Sequence, residues 1–452
     1  MIVLHLAVVL AAIVLGARLG GIGIGLAGGL GVLALAALGV TPGSMPLDVV
    51  SIIMAVITAI AALQVAGGMT WLVDLAARLL RRNPRHLTFL APTVTYLMTI
   101  MAGTGHTAFS TLPVITEVAK ENDIRPARPL SVAVVASQVA ITASPISAAV
   151  VFFASLLEEG GTGVDYVQLL AVAVPSTFLA VLATAAIMSV LDRVRGRGRL
   201  ADDPEYRRRL AAGEVRPAGG AAGGAGAAGA AGGAARAVPP GARRSVAIFA
   251  AGLVAVTTYA TVISDKVGLV AEPVMGRDAA IIAIMLSVAA LIVLTCRVPS
   301  ADVLVASTFR SGMSACVCVL GVAWLGTTFV TAHEEAVTAA AGDVLDAQPW
   351  LLAVALVLAS ALLYSQAATA RALMPTALAI GVAAPAAVAA FPAVSALFVL
   401  PTYPTLLAAV EMDDTGTTRI GRYVVDHPFL APGLLTIGIA VALGFAIGAV
   451  VL

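Results

Sequence analysis

The sequence predicts an all-α polytopic membrane protein with about ten transmembrane helices and two re-entrant hairpins in an inverted repeat. Of the 452 residues, 60% are hydrophobic and only 11% are charged, and the mean hydropathy is +1.01. A soluble domain carries about a quarter of its residues as charged side chains, so this composition excludes an ordinary soluble protein. Apolar runs of spanning length recur along the chain and are too continuous to be barrel strands. Examples are Ser51 to Ala66, Val167 to Val190, Val246 to Ile263, Ala279 to Cys296 and Leu430 to Leu452.

The basic residues predict the orientation of these spans. All but three of the 26 lysines and arginines fall in segments on one side of the predicted spans. Two loops on the opposite side, Glu158 to Asp165 and His333 to Asp346, contain acidic residues and no lysine or arginine. Because cytoplasmic loops carry the excess of basic residues, the first side is predicted to be cytoplasmic and both termini outside. The first apolar run, Ile2 to Leu15, lacks the basic start of a signal peptide, so we expect a retained span.

A long polar segment predicts the division of the chain. Residues 192–244 are rich in arginine, and Ala218 to Ala235 contains only alanine and glycine, a composition typical of a flexible linker. We therefore predict a first membrane half over residues 1–191, a cytoplasmic linker over 192–244 and a second membrane half over 245–452. Binding of the linker arginines to anionic lipid or to a partner is the alternative to a solvated connector.

The first half contains a polar interruption, "GTGHTAFSTLP", from Gly103 to Pro113. It predicts the tip of a re-entrant hairpin with arms Leu87 to Met101 and Ala108 to Ala119, entering from the cytoplasmic side. Glycines in the turn let the backbone approach a ligand, and the start of the second arm presents free N–H groups and a positive dipole end, which suit a carboxylate. The candidate binding residues here are Gly103, Thr104, Gly105, His106 and Thr107.

His106 has three interpretations that the sequence leaves open. The pKa of an imidazole lies near physiological pH, so this side chain is consistent with a proton carrier or a ligand donor. It is equally consistent with a turn residue whose polar atoms are satisfied locally. For any single threonine of the turn, capping of its own backbone is likewise the alternative to ligand binding.

The second half repeats these features with the opposite topology. Thr107 to Pro113 and Thr369 to Pro375 have equal spacing, and "SQAATARALMP" enters from the predicted outside. Prolines in "ITASPIS" and "LPTYPT" break the span that follows each hairpin. Two hairpin tips and two broken spans that meet near the midplane are typical of the substrate site of a secondary transporter. The further candidate binding residues are Thr142, Ser144, Ser365, Gln366, Thr369, Arg371, Thr402 and Tyr403.

Arg371 is the one basic residue outside the predicted loops. Placing it near mid-membrane costs about 2.5 to 3.5 kcal/mol, so an anionic partner is expected. A substrate carboxylate held bidentately is one candidate partner, and a snorkelling side chain near the outer end of the hairpin arm is the alternative. Asp413 and Asp414 follow the second broken span, where they would bind a coupling cation or gate the site, or else cap their own loop.

Other motifs argue against competing classes of protein. The glycines at positions 23, 25 and 28 match a dinucleotide fingerprint, but no strand precedes them, so close helix packing explains them better. No diphosphate-binding or zinc-hydrolase motif of a membrane enzyme is present. The three cysteines, Cys296, Cys316 and Cys318, show no metal-ligand spacing with histidine. We predict no enzymatic activity, no cofactor or metal and no nucleic-acid partner.

Eight segments of the chain match the pattern of a known family of membrane proteins. They are "GARLGGIGIGLAGGLGVL" (Gly16 to Leu33), "VSIIMAV" (Val50 to Val56), "LLRRNP" (Leu79 to Pro84), "TLPVITEVAKENDIRPARPLS" (Thr111 to Ser131), "ITASPISAAVV" (Ile141 to Val151), "STFRSGMSACVCVLGVAWLG" (Ser307 to Gly326), "YSQAATARALMP" (Tyr364 to Pro375) and "LPTYPTLLAAVEMDDTGTTRIG" (Leu400 to Gly421). In these segments the chain resembles the anaerobic C4-dicarboxylate transporter (Dcu) family, most closely its DcuA branch. Two departures from the family pattern stand out: Ala76 and Ala77 occupy positions where the pattern has an acidic residue, and Arg371 replaces a lysine.

The resemblance implies a carrier in the bacterial cytoplasmic (inner) membrane. Its expected substrates are C4-dicarboxylates such as fumarate, succinate, malate and aspartate, moved by exchange or by cation-coupled uptake. The broader ion transporter superfamily implies inverted repeats, elevator-type movement and often a homodimer. A cation/proton antiporter or another organic-anion carrier of that superfamily is the alternative, although the predicted spans are nearly free of the acids that an antiporter needs.

Overall fold

The computed structural model describes residues 1–19, 22–45, 47–194, 199–215, 239–263, 269–270, 273–333, 348, 350–363, 365–400, 403–421 and 426–452. The described helices before the long polar segment and at its start are α1 Ile2–Leu19, α2 Gly23–Ala37, α3 Leu47–Val65, α4 Gly68–Arg82, α5 Leu87–Ala102, α6 Ala108–Glu121, α7 Ala127–Val139, α8 Ala148–Glu159, α9 Tyr166–Val194 and α10 Pro204–Ala211. The later ones are α11 Ala242–Val262, α12 Arg277–Cys296, α13 Ser300–Val305, α14 Ser307–Ala332, α15 Leu351–Leu363, α16 Gln366–Ala379, α17 Ala384–Ala390, α18 Pro404–Met412 and α19 Leu430–Val451.

The prediction of an all-α membrane protein is confirmed. Among the described residues no named strand occurs, and the β-pairing seen there is one isolated bridge between Ile124 and Arg199. Five described segments are long and apolar enough to cross a bilayer: α9, α11, α12, α19 and the broken segment Ala127–Glu159. The count rises to six if the bent pair Val50–Val65 and Gly68–Arg82 is one span. The expected number of ten spans therefore stays a prediction.

The bend between α3 and α4 has a local cause. The two helices meet at an angle of 68°, and Gly67 between them adopts a left-handed conformation with φ of 82°. Only glycine adopts this conformation without a steric penalty. Helix α4 ends in Arg81 and Arg82, so the bend turns a charged helix end away from the direction of the apolar helix α3.

The first hairpin consists of α5, a short turn and α6. These helices agree with the predicted arms to within two residues at each end. Hydroxyl pairs join the arms, since Thr99 Oγ1 lies 2.9 Å from Thr107 Oγ1 and Thr95 Oγ1 lies 3.1 Å from Thr111 Oγ1. The corresponding arms in the second half are α15 and α16.

Each hairpin is followed by a helical segment that is broken in the middle. In the first half, the 3-10 turn Ala140–Ala143 and an extended stretch around Pro145 separate α7 from α8. In the second half, the 3-10 turn Phe391–Ser395 follows α17, and α18 begins at Pro404. Proline suits the first turn of a helix because it lacks the N–H that would be unpaired there.

The first broken segment lies at the centre of the molecule. Of the most apolar stretch of Ala127–Glu159, 78% of the residues are buried, against 28% to 44% for the other four spans. The largest hydrophobic core joins this segment to both arms of the first hairpin and to α16, α17 and α18. Helices α9 and α19 pack against each other, as do α2 and α14, and α5 packs against α7. The polar breaks are thus enclosed by protein, which membrane-depth backbone requires.

Part of the predicted linker forms a short helix, α10. Asp203 caps it by accepting hydrogen bonds from the backbone N–H groups of Glu205 at 2.9 Å and Tyr206 at 3.2 Å. Side-chain hydrogen bonds from Arg208 and Arg209 lower the pKa of Glu205 to about 2. The Ala/Gly stretch Ala218 to Ala235 lies outside the described residues.

Candidate functional site

The tip of the first hairpin packs closely against the first broken segment. Gly103 ends α5 with φ of 62°, and a Cβ atom at this position would lie 3.2 Å from the side chain of Ile146 and 3.3 Å from its carbonyl oxygen. A Cβ atom on Gly105 would lie 2.8 Å from Gln138 Nε2, closer than real Cβ contacts occur. The glycines of the turn are therefore required for this close approach.

The hydroxyl groups around the first tip have partners in the protein. Besides its contact with Thr99, Thr107 Oγ1 donates to the carbonyl of Thr104 at 3.4 Å. Ser144 donates to the carbonyl of Ile100 at 2.7 Å, which joins the first break to the first arm. Thr142 donates to the carbonyl of Val139 at 2.7 Å, within its own turn.

His106 lies at the same tip. Its backbone belongs to the 3-10 turn Gly105–Thr107, and its side chain lies outside the described part of the structure. The three interpretations of His106 therefore stay open.

The second hairpin contributes the start of α16. Ser365 Oγ caps the helix by accepting from the N–H of Ala368 at 3.2 Å. Thr369 donates to the carbonyl of Ser365 at 2.8 Å. Tyr403 occupies the position that precedes α18, whereas Thr402 lies outside the described residues.

One glutamine connects the two hairpins and the two broken segments. Gln138, fully buried at the end of α7, accepts a hydrogen bond from Gln366 Nε2 at 3.0 Å. Its own Nε2 donates to Ser137 Oγ at 3.0 Å and to Thr405 Oγ1 at 3.3 Å. We call Ser137, Gln138, Gln366 and Thr405 the amide cluster. The amide group of Gln138 also contacts the first tip at Gly105, so the two hairpins and the two broken segments meet at this cluster.

Arg371 is buried in the protein rather than extended to a membrane surface, with 1% of its surface exposed. Its Nη2 donates to the carbonyl of Ala148 at 3.4 Å, and the guanidinium lies 5.0 Å from the centre of the Phe152 ring. The Nε and Nη1 atoms are buried without a hydrogen-bond partner among the described residues. No acid among those residues forms an ion pair with it.

The guanidinium of Arg371 and the tip of the first hairpin contact the same short stretch of chain. Gly103 contacts Ile146, and Arg371 binds the carbonyl of Ala148, two residues further on. Two extended residues span at most about 7 Å. The structure thus brings a cation with unused donors close to the turn at the start of α6.

The two aspartates after α18 are engaged by protein donors. Asp413 is buried and accepts hydrogen bonds from the N–H of Thr418 at 2.7 Å and from Thr417 Oγ1 at 2.8 Å, with further bonds from Thr415. Asp414 forms an ion pair with Lys120 at 2.8 Å. This arrangement favours capping of the loop over a cation site. Within the described chain no group of three potential metal ligands occurs.

A cavity of about 610 Å³ lies between the ends of α8 and α16. Its lining includes Leu156 and Glu159 on α8 and Leu378 on α16. Leu378 follows Arg371 by seven residues, a rise of about 10 Å along a helix. The cavity therefore lies beyond Arg371 along the same two helices.

Sequence reasoning did not identify Gln138, Thr405 or Phe152 as site residues. The repeated Ser–Gln dipeptide, at Ser137 and again at Ser365, was the available signal for the amide cluster. The contact of Arg371 with Phe152 had no sequence signal, because the two residues are far apart in the chain.

The family model for anaerobic C4-dicarboxylate membrane transporters, DcuA_DcuB, matches residues 1–452. The C4-dicarboxylate transporter DcuA of Wolinella succinogenes is 55% identical over 453 residues, 100% of each chain. DcuA of Helicobacter pylori strain 26695 is 51% identical over 456 residues, 99% of each chain. The anaerobic C4-dicarboxylate transporter DcuB of Escherichia coli O6:H1 is 35% identical over 450 residues, 99% of this chain and 98% of that one.

Among solved structures, the YdaH transporter of Alcanivorax borkumensis has a TM-score of 0.45 and 14% identity, covering 87% of this chain and 85% of that one. A TM-score this low does not establish a shared fold. The sequence relatives are named as transporters, in agreement with the prediction of transport rather than catalysis. The chain therefore belongs to the family of anaerobic C4-dicarboxylate membrane transporters, and within it to the DcuA branch.

Proposed function

We propose that this protein carries C4-dicarboxylates such as fumarate, succinate, malate and aspartate across the cytoplasmic membrane, by exchange or by cation-coupled uptake. In this proposal, Arg371 holds one carboxylate, and the first hairpin tip holds the other with backbone N–H groups, Thr104 and Thr107. A substrate with two carboxylates needs two anion sites, and these two contact residues only two positions apart, Ile146 and Ala148.

The observation that carries the proposal is the buried guanidinium of Arg371. A buried cation costs free energy unless an anion pairs with it. Its Nε and Nη1 atoms have no partner among the described residues, so both donors are available for charge-assisted hydrogen bonds to a carboxylate. The family supplies the class of anion that would pair with the guanidinium.

The alternative of a cation/proton antiporter has less support. An antiporter needs acids that are free to bind the cation inside the membrane. In the part of the chain that the structure describes, the buried acids are Asp203 and Asp413, and both accept hydrogen bonds from protein donors. No observation on the described residues favours this function over dicarboxylate transport.

Uptake of labelled succinate into proteoliposomes tests the proposal. We expect uptake that internal fumarate accelerates under exchange, or that an imposed proton or sodium gradient accelerates under symport. Absence of succinate uptake in all three conditions, with protein that remains folded by thermal unfolding, would contradict the proposal. The dependence on internal fumarate separates exchange from symport.

The orientation, with both termini outside, and the division into two inverted halves remain predictions of this proposal. A cysteine placed in Glu158 to Asp165, in a variant without the three native cysteines, should react with an impermeant thiol reagent added outside. A cysteine in Ala218 to Ala235 should not react. The opposite pattern would overturn the orientation. A homodimer and elevator-type movement are likewise expected from the family resemblance.

A further inference from the structure

We propose that the amide cluster is the subsite for the substituent on C2 of the substrate, and that Gln366 and Gln138 determine which C4-dicarboxylates are preferred. This inference rests on the proposed function, because it assumes that the carboxylates bind at Arg371 and at the first tip. It adds a residue set that distinguishes succinate from malate and aspartate. These substrates share both carboxylates and differ in carrying hydrogen, hydroxyl or ammonium on C2.

The position of the cluster supports this assignment. Gln138 Nε2 lies against Gly105 at the first tip, so a substrate carboxylate at that tip would place its C2 atom near the two amide groups. Gln366 starts the same helix that carries Arg371, five residues earlier. The cluster therefore contacts the first proposed carboxylate site and shares helix α16 with the second.

The hydrogen-bonding capacity of the cluster supports it as well. Gln138 Nε2 donates to Ser137 and Thr405, and Gln366 Nε2 donates to the side-chain and backbone oxygens of Gln138. A carbonyl oxygen accepts two hydrogen bonds. Gln138 Oε1 accepts one from the described residues, and Gln366 Oε1 accepts none from them. The unused capacity in the cluster thus includes an acceptor on each glutamine, which a hydroxyl or an ammonium group on C2 requires, and the hydroxyl hydrogen of Thr405, which donates to no described residue.

The uncharged nature of these acceptors predicts a broad specificity. A carboxylate here would favour ammonium strongly and would repel a dianion. A neutral amide oxygen accepts from hydroxyl or ammonium and costs little when C2 carries only hydrogen, because Gln366 Oε1 already lacks a protein donor. One site can then accept succinate, malate and aspartate with modest differences.

The experiment compares the affinities of purified Gln366→Met protein for succinate and malate by calorimetry. Methionine keeps the length of the side chain and removes the free acceptor. We expect malate binding to weaken about tenfold relative to succinate binding, the effect of one lost hydrogen bond. Thr436→Val is the matched control, since Thr436 donates to Thr184 in a buried contact between α19 and α9, away from the cluster. It should leave the ratio of the two affinities unchanged.

The ratio of the malate and succinate affinities distinguishes a role of Gln366 in specificity from a role in positioning other groups of the site. Equal weakening of both ligands, or no change in the ratio, would overturn the inference. If Gln366→Met cannot be purified, Gln366→Glu tests the same point with the opposite sign, because its charge should raise the affinity for aspartate relative to succinate. Absence of a rise would also overturn it. If the parent binds none of these ligands, the proposed function itself fails, which is a distinguishable result.

Discussion

The buried region around Gln138 and Arg371, which we call the crossing point, differs from the charged surface formed by the α6–α7 turn, α10 and the loop after α18. In the charged surface, Lys120 pairs with Asp414 at 2.8 Å. Arg125 pairs with Asp203 at 2.9 Å, and Arg128 pairs with Asp192 at 3.0 Å. At the crossing point, the single cation has no acidic partner among the described residues, and the other polar contacts join neutral groups.

The two regions differ in whether their cations are free to bind an incoming carboxylate. A cation that already has a fixed carboxylate gains little from a further anion, so the charged surface anchors chain segments to one another. A buried cation without an acid gains the full interaction with an incoming carboxylate. Fixed ion pairs in one region and an unpaired cation in the other therefore separate anchoring from ligand binding.

The largest expected effect comes from removing the unpaired cation. Arg371→Gln should abolish dicarboxylate transport and weaken binding by about 2 to 5 kcal/mol, the cost of losing one member of a buried charged pair. Arg371→Lys should retain partial transport, because the charge remains and the bidentate fork is lost. The measurement is the shift in thermal unfolding temperature that succinate produces in each purified protein.

The same measurement contains its own control. Without substrate, Arg371→Gln should be at least as stable as the parent, because the variant no longer buries an unpaired charge. If succinate protects this variant as well as it protects the parent, the carboxylate is held elsewhere. The contrast between the two regions would then not concern ligand binding.

A smaller effect is expected at the charged surface. Lys120 and Asp414 are 9% and 12% exposed, whereas Arg81 and Glu117 form a pair that is 45% and 28% exposed. Lys120→Met should cost more than the roughly 0.2–1 kcal/mol of an exposed pair and up to the roughly 3–5 kcal/mol of a buried one. Arg81→Met is the matched control at the low end of this range.

The readout for these variants is the thermal unfolding temperature without substrate, together with succinate affinity. We expect Lys120→Met to lower stability and to leave affinity close to that of the parent. The double variant with Asp414→Asn should recover part of the loss, since neither charge is then left unpaired. A large loss of affinity with unchanged stability would mean that this pair takes part in binding.

The sequence was sufficient for elements defined by local chemistry. Glycine in the turn after α5 predicted the first hairpin, and proline predicted both broken segments, because glycine permits a tight turn and proline interrupts a helix. The second hairpin was predicted from the spacing of Thr369 and Pro375, which repeats that of Thr107 and Pro113. The cap at Asp203, with Pro204 and Glu205 after it, is a local signal for α10 that composition alone concealed. The signals were sufficient to predict which residues interrupt the spans.

Pairing between distant segments could not be predicted in this way. The contacts of Gln138 with Gln366 and Thr405 join residues more than 200 positions apart. They depend on how four helix ends pack, which no local pattern encodes. For the same reason, the burial of Arg371 against Phe152 emerged only from the three-dimensional arrangement.

The smallest expected effect concerns the hydroxyl groups at the two hairpins. Each threonine hydroxyl has one donor, and Thr369 uses it on the carbonyl of Ser365, while Thr107 contacts Thr99 and Thr104. A role in binding requires these hydroxyls to turn toward the substrate when it arrives. Thr107→Val and Thr369→Val keep the shape and remove the donor, so each should weaken succinate binding by about 1–2 kcal/mol.

The comparison with Thr95→Val sharpens this prediction. Thr95 also joins the two arms of the first hairpin through a buried hydroxyl contact, with Thr111, but it lies further from the tip. A purely structural role of the hydroxyls would lower the unfolding temperature of all three variants and leave succinate affinity unchanged in each. A binding role would weaken affinity for Thr107→Val and Thr369→Val alone. Unchanged affinity in both would leave Arg371 and the backbone of the tip as the groups that hold the substrate, because the hydroxyls would then serve only to join helix turns.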